Sequence, residues 1–195
     1  MFARAIVAAV LLSASTLHAT NAVQNPNFTG GISGWSASSV GGGAYYESYF
    51  GSPVGGALRL DTNSFNATAQ GTQCVDLHKF VTMNAIALDF SLRYAINGQS
   101  GTGTHQFKLE VYDQAGCAGN LLTTLVPDEA QAIAVDGIGA GWKEAGQYGT
   151  AYPPGALSAL VSVQTASGSA GVANFMIDDV YVGPLDVIFA DDLEP

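Results

Sequence analysis

Asn84–Ile96 reads Asn-Ala-Ile-Ala-Leu-Asp-Phe-Ser-Leu-Arg-Tyr-Ala-Ile. Ile86, Leu88, Phe90, Leu92, Tyr94 and Ile96 share one parity, and Ala85, Ala87, Asp89, Ser91, Arg93 and Ala95 take the other. A period of two over this length predicts a half-buried β-strand. Phe107, Leu109 and Val111 repeat the pattern against Lys108, Glu110 and Tyr112. So do Leu157, Ala159, Val161 and Val163 against Ser158, Leu160, Ser162 and Gln164, while Leu58 and Leu60 flank Arg59. Between the runs lie Gly-rich breaks, including Gly41–Gly43, Asn97–Gly103, Gly116–Gly119 and Ser167–Gly171. Short strands punctuated in this way predict an all-β antiparallel sandwich. Only Pro127–Val135 has a helix-like composition.

One strand breaks its parity. In Asn174–Val182, Phe175 and Ile177 share a face while Val180 and Val182 fall on the other. A β-bulge at Asp178-Asp179 would turn Ile177 and Val180 inward together.

Composition narrows the function. The 195 residues include 24 glycines, are 48% apolar and only 11% charged, and carry a net charge of −10. Six Lys and Arg cannot build the basic face that a phosphate backbone demands, which excludes nucleic acid as a partner. Residues 1–22 read as a secretory signal peptide: Arg4, the apolar run Ala5–Leu12, then small and polar residues. Cleavage after Ala22 has a small residue, Thr20, three positions before the cut; the alternative after Ala19 has Leu17 there. No later segment is apolar enough over ~20 residues to span a bilayer as a helix. The expectation is one sandwich domain over residues 23–183 and an acidic tail over 184–195, in a secreted protein, extracellular or periplasmic.

An exported chain with Cys74 and Cys117 reads as holding one disulfide. The rival is a metal site shared with His78 and His105, but tight ligand spacing is lacking. No GxSxG, HExxH, P-loop or GxGxxG motif occurs. No two of Glu47, Glu110, Glu129, Glu144 and Glu194 are spaced to face each other from one strand. The expectation is a protein without catalytic residues.

Asn25-Pro26-Asn27-Phe28, followed by Gly34-Trp35, resembles the opening of carbohydrate-binding modules of family 4/9, the CenC type, which are galactose-binding-like jelly rolls. Ile177-Asp178-Asp179-Val180 is similar to their closing strand, and Trp142 fits their spacing. Cys74 with Gly116-Cys117-Ala118-Gly119 resembles a variant of secreted proteobacterial proteins. Asp186–Asp191 is similar to the endings of exported xanthomonad-type proteins, which points to a Gram-negative source.

The resemblance implies two sites. The first is a structural calcium ion that pins the N-terminal segment to the last strand, with Asp178 and Asp179 as ligands. Such modules carry an acidic residue after the first Phe, where this chain has Thr29. The second is a face for a polysaccharide or cell-surface glycan. The outward positions supply Arg59, Asp89, Arg93, Lys108, Glu110 and Tyr112, with Tyr112 the leading candidate and further aromatics at Tyr45–Phe50. Trp35 and Trp142 are expected in the core. A structural or adhesive protein without a glycan site, and a small glycan-active hydrolase, are the two other classes.

Overall fold

The computed structural model describes residues 21–51, 55–82, 85–127 and 141–184, with backbone alone at 97–102 and 169–171. The leader over residues 1–20, the helix-like stretch from residue 128 and the tail beyond residue 184 lie outside the described residues.

The elements are β1 (Ser36–Val40), β2 (Gly42–Glu47), β3 (Ala57–Thr62), β4 (Thr68–Asp76), α1 (His78–Thr82), β5 (Ala87–Gln114), β6 (Ala118–Leu125), β7 (Lys143–Ala151) and β8 (Ser158–Pro184). All strand pairs are antiparallel. Two strands, β5 and β8, are far longer than the rest and run side by side through both layers of the sandwich. Thr104–Tyr112 of β5 pair with Ala166–Ser158 of β8, and Leu88–Ile96 of β5 pair with Pro184–Phe175. The first sheet therefore has the order β1-β4-β8-β5-β6, and the second has β2-β3-β8-β5-β7.

The alternating runs lie in strands as their parity predicts, with one correction inside them. Asn97–Gly103 and Ser167–Gly171 are not turns. The strands continue through both, with register shifts between Ile96 and Gln99 and between Gly101 and Gly103. Glycine without a side chain lets the paired strands bend and slip while the ladder persists. These segments carry the chain from one sheet to the other. Ile86 also departs from its run: it is 77% exposed, because pairing with β7 begins only at Ala87.

The inward faces meet in one core. Phe107, Leu109, Val111, Val161 and Val163 of the first sheet face Leu58, Leu60, Phe90, Leu92, Phe175 and Ile177 of the second. Tyr94 and Phe107 stand 5.3 Å apart, and Phe107 stacks on Phe175 at 5.4 Å. Leu58 of the second sheet packs tightly on Gly71 of the first, where an added Cβ would sit 2.4 Å from Leu58 Cδ2. The N-terminal segment closes one end of the sandwich, with Trp35 against Phe28 at 5.2 Å and Gln24 in reciprocal bonds with the Gln73 amide, at 2.6 and 2.9 Å. The short helix α1 follows Asp76, whose carboxylate accepts the His78 N–H at 2.8 Å as an N-terminal cap, and it buries Phe80.

The disulfide is present. Cys74 of β4 joins Cys117 in the β5–β6 turn with Cα atoms 5.8 Å apart. This overturns the rival metal reading: both thiols are used, and His105 is buried against Phe175 with ring centroids 4.5 Å apart. The expected bulge is present as well. Ser91 pairs with Tyr181 and Arg93 with Asp178, so Leu92 faces the two residues Asp179 and Val180. Asp179 takes φ +47°, and Ile177 and Val180 both turn into the core.

Candidate functional site

The outward positions divide between two faces of different character. On the first sheet, cross-strand rows run Gln70–Gln164–Gln106, Thr72–Ser162–Lys108, and Cys74–Leu160–Glu110–Thr124. A further row holds Asp76, Ser158, Tyr112 and Leu121. Gln70 donates to Ser162 Oγ at 3.0 Å, and Lys108 Nζ lies 2.9 Å from Glu110 Oε1 along the same strand. Tyr112 is half-buried here.

On the second sheet the central row is Tyr45–Arg59–Met176–Ala95, flanked by Gly43–Asp61–Asn174 on one side and Asp178–Arg93–Glu144 on the other. Arg59 is gripped from two sides. Its Nε donates to Asp61 Oδ1 at 3.0 Å and its Nη1 to Glu47 Oε2 at 3.1 Å. Its guanidinium lies 5.6 Å over the Tyr45 ring, in a cation–π arrangement. The Tyr45 hydroxyl donates to the other Asp61 oxygen. Burial, then the hydrogen bond to Asp61 and its charge, push the Tyr45 hydroxyl up to about 12. Tyr45 therefore remains a neutral donor throughout the physiological range.

Beside this network lies an apolar strip. Ala57, Ala95 and Met176 are nearly buried on the outward side of the sheet, and partly buried Trp142 packs against them. Trp142 thus caps these three residues on the outward side of the sheet. On the far side, the Tyr148 hydroxyl donates to Glu144, and Asp89 Oδ1 accepts the Gly149 N–H at 2.6 Å.

The six outward residues expected on a glycan face therefore do not form one site. Arg59, Asp89 and Arg93 stand on the second sheet, Lys108, Glu110 and Tyr112 on the first. All six are outward by parity, but β5 changes sheet between Arg93 and Lys108. Parity alone missed Asp61, Met176 and the place of Trp142. Trp35 belongs to the main core as expected, whereas Trp142 packs on the outward strip. The available signal for Trp142 was its place just before β7, where the run of apolar periodicity has ended.

Asp178 is buried, and its Oδ1 accepts the Asp179 N–H at 2.8 Å. Burial raises the Asp179 carboxyl, with Arg93 acting in the opposite sense. Among the described residues no three His, Cys, Asp or Glu stand together as an ion-holding group. Thr29 turns its hydroxyl to Asn27 Oδ1 at 3.0 Å. Calcium takes six to eight oxygens, so an ion beside Asp178 and Asp179 would draw mainly on backbone carbonyls and water. The N-terminal segment is already held to this strand directly, with the Val180 N–H donating to Pro26 O at 2.9 Å.

No helix among the described residues is long and apolar enough to cross a membrane. No family model matches the chain, and no curated protein matches it. Solved structures match it in shape. The enzymatically active domain of tailspike protein 4 from bacteriophage CBA120 superposes with a TM-score of 0.58 at 17% identity, over 85% of this chain and 21% of its own. The chain thus spans about one fifth of the length of that tailspike protein. A structure described for the promiscuous specificity of carbohydrate-binding modules of the β-sandwich superfamily gives 0.56 at 13% identity, over 84% of this chain and 62% of its own. The module TmCBM61, in complex with β-1,4-galactotriose, gives 0.51 at 17% identity, over 85% and 99%. At these identities the likeness is one of fold: this chain is a jelly-roll β-sandwich of the kind found in carbohydrate-binding modules.

Proposed function

We propose that the chain is a secreted, non-catalytic module that binds a polysaccharide or cell-surface glycan on the outward face of its second sheet. The observation that carries this reading is the partly exposed Trp142, which caps Ala57, Ala95 and Met176 on the outward face beside Tyr45, Arg59 and Arg93. Sugar rings present C–H faces that pack on aromatic and apolar surface, and hydroxyls that take hydrogen bonds from fixed polar groups. Trp142 offers the first and the Arg59 network the second. The network is oriented before any ligand arrives, which lowers the ordering cost of binding. The fold shared with carbohydrate-binding modules supports the reading, and the disulfide supports an oxidising compartment. The opening Asn25–Trp35 and the closing Ile177–Val180 favour the family 4/9 type among such modules, from a proteobacterial source.

The test is affinity electrophoresis through gels holding a panel of polysaccharides. The expected result is retardation by at least one polymer, lost on Trp142→Ala and retained on Tyr112→Ala. The reverse pattern would move the site to the first sheet. Absence of retardation by every polymer, with folded protein, would leave the structural or adhesive reading. Release of reducing ends from the retarding polymer would make the chain a hydrolase.

A further inference from the structure

We propose that the leader is removed after Ala19 and that the mature chain begins at Thr20. Residue size at the cleavage site favours the other position, after Ala22, because Thr20 is smaller than Leu17 three residues before the cut. The fold makes the opposite demand. Asn21 is the bracket that fastens the start of the domain to the end of β8. Its amide nitrogen donates to Val180 O at 2.8 Å, and its amide oxygen accepts the Val182 N–H at 3.1 Å. The same oxygen takes the Val23 N–H at 3.0 Å. The Ala22 N–H donates to Val182 O at 2.7 Å, and Lys79 Nζ donates to Asn21 O at 3.0 Å. Ala22 itself packs against the core.

A cut after Ala22 removes all of these bonds together. It also changes the chemistry of what remains. The Val23 nitrogen would become an ammonium that has lost its Asn21 acceptor. The Val180 and Val182 backbone groups would lose their partners too, on a strand whose side chains there lie in the core. A cut after Ala19 keeps Asn21 and Ala22 and places the new ammonium on Thr20, before the bracket. Of the two products only the one that begins at Thr20 keeps the bracket, so it is the terminus expected on the folded domain.

The full 195-residue chain, expressed in a Gram-negative host and recovered from its periplasm, tests this by intact mass and N-terminal sequencing. The expected terminus is Thr20. A terminus at Val23, or retention of Met1, overturns the proposal. A second measurement compares purified, oxidised chains that begin at Thr20 and at Val23. The shorter chain is expected to melt roughly 5–10 °C lower; equal midpoints also overturn it.

Discussion

The two outward faces of this sandwich are built on the same two long strands yet solve different problems. The first is tied covalently: Cys74 in β4 holds the β5–β6 turn through Cys117. Its polar side chains sit in amide and hydroxyl rows, with one lysine–glutamate pair along a strand. The second has no covalent tie among the described residues. It holds Arg59 between two carboxylates over an aromatic ring, next to apolar side chains capped by Trp142 on the outside of a sheet. The contrast teaches where to look for function. A face whose outward side chains are tied to one another and to a neighbouring turn is a support, whereas a face that buries apolar side chains away from the core and orients charges around them is shaped for something else.

The largest way to sharpen the contrast is to cut the tie. Replacing both Cys74 and Cys117 by Ser opens a loop of 43 residues and is expected to cost about 4 kcal/mol, measured by urea unfolding. Glycan retention by the folded fraction is expected to stay unchanged, because the bond lies on the other sheet. Loss of both together would break the division between the faces.

His105 gives the next effect. It lies just past the bend in β5, on the first sheet's inward side, and stacks on Phe175 of the second. Burial pushes its pKa down to about 4, against an ordinary value near 6.5. The neutral ring is therefore the form the fold accepts. Its contribution is complete above pH ~6.5 and is lost as pH falls towards about 4, at ~1.4 kcal/mol per pH unit and about 3 kcal/mol in all. His105→Phe is expected to flatten the stability curve across that window, in unfolding titrations at pH 7 and 4.5. An unchanged slope would mean that the ring is hydrated within the sandwich.

The smallest effects compare the two cations directly. Arg59→Met leaves Asp61, which is nearly buried, with the Tyr45 hydroxyl but without its cation, and is expected to cost roughly 1–3 kcal/mol. Lys108→Met removes a single partly exposed pair and is expected to change stability by less than about 1 kcal/mol. Equal costs would erase the difference in electrostatic construction between the faces.

The strands were legible because alternation is a local property. Leu88, Phe90, Leu92, Tyr94 and Ile96 face inward wherever the strand lies, and the parity break between Ile177 and Val180 points to an extra residue, which is Asp179. The site was less legible because parity gives inside and outside but not which sheet. Arg93 and Lys108 look equivalent in sequence; the glycines between them, read as a turn, are instead the bend that separates them. The helix α1 escaped because five residues carry too little periodicity, and only Asp76 at its start marked it. Trp142 looked like core because tryptophans usually are, and it does pack on apolar neighbours, but against the outer side of a sheet.

The long pairing of β5 with β8 has one more consequence, for how the domain comes into being. Leu88 pairs with Pro184 at one end and Tyr112 with Ser158 at the other, so both sheets wait for the same final strand. Pairings between such distant segments form slowly, since the chain must close a long loop before any contact rewards it. Delivered N-terminus first, from a ribosome or through a pore, this chain has no complete sheet until β8 emerges. Before it only the pairs β1–β4, β2–β3, β5–β6 and β5–β7 can form, and both sheets are completed by the one strand that joins them.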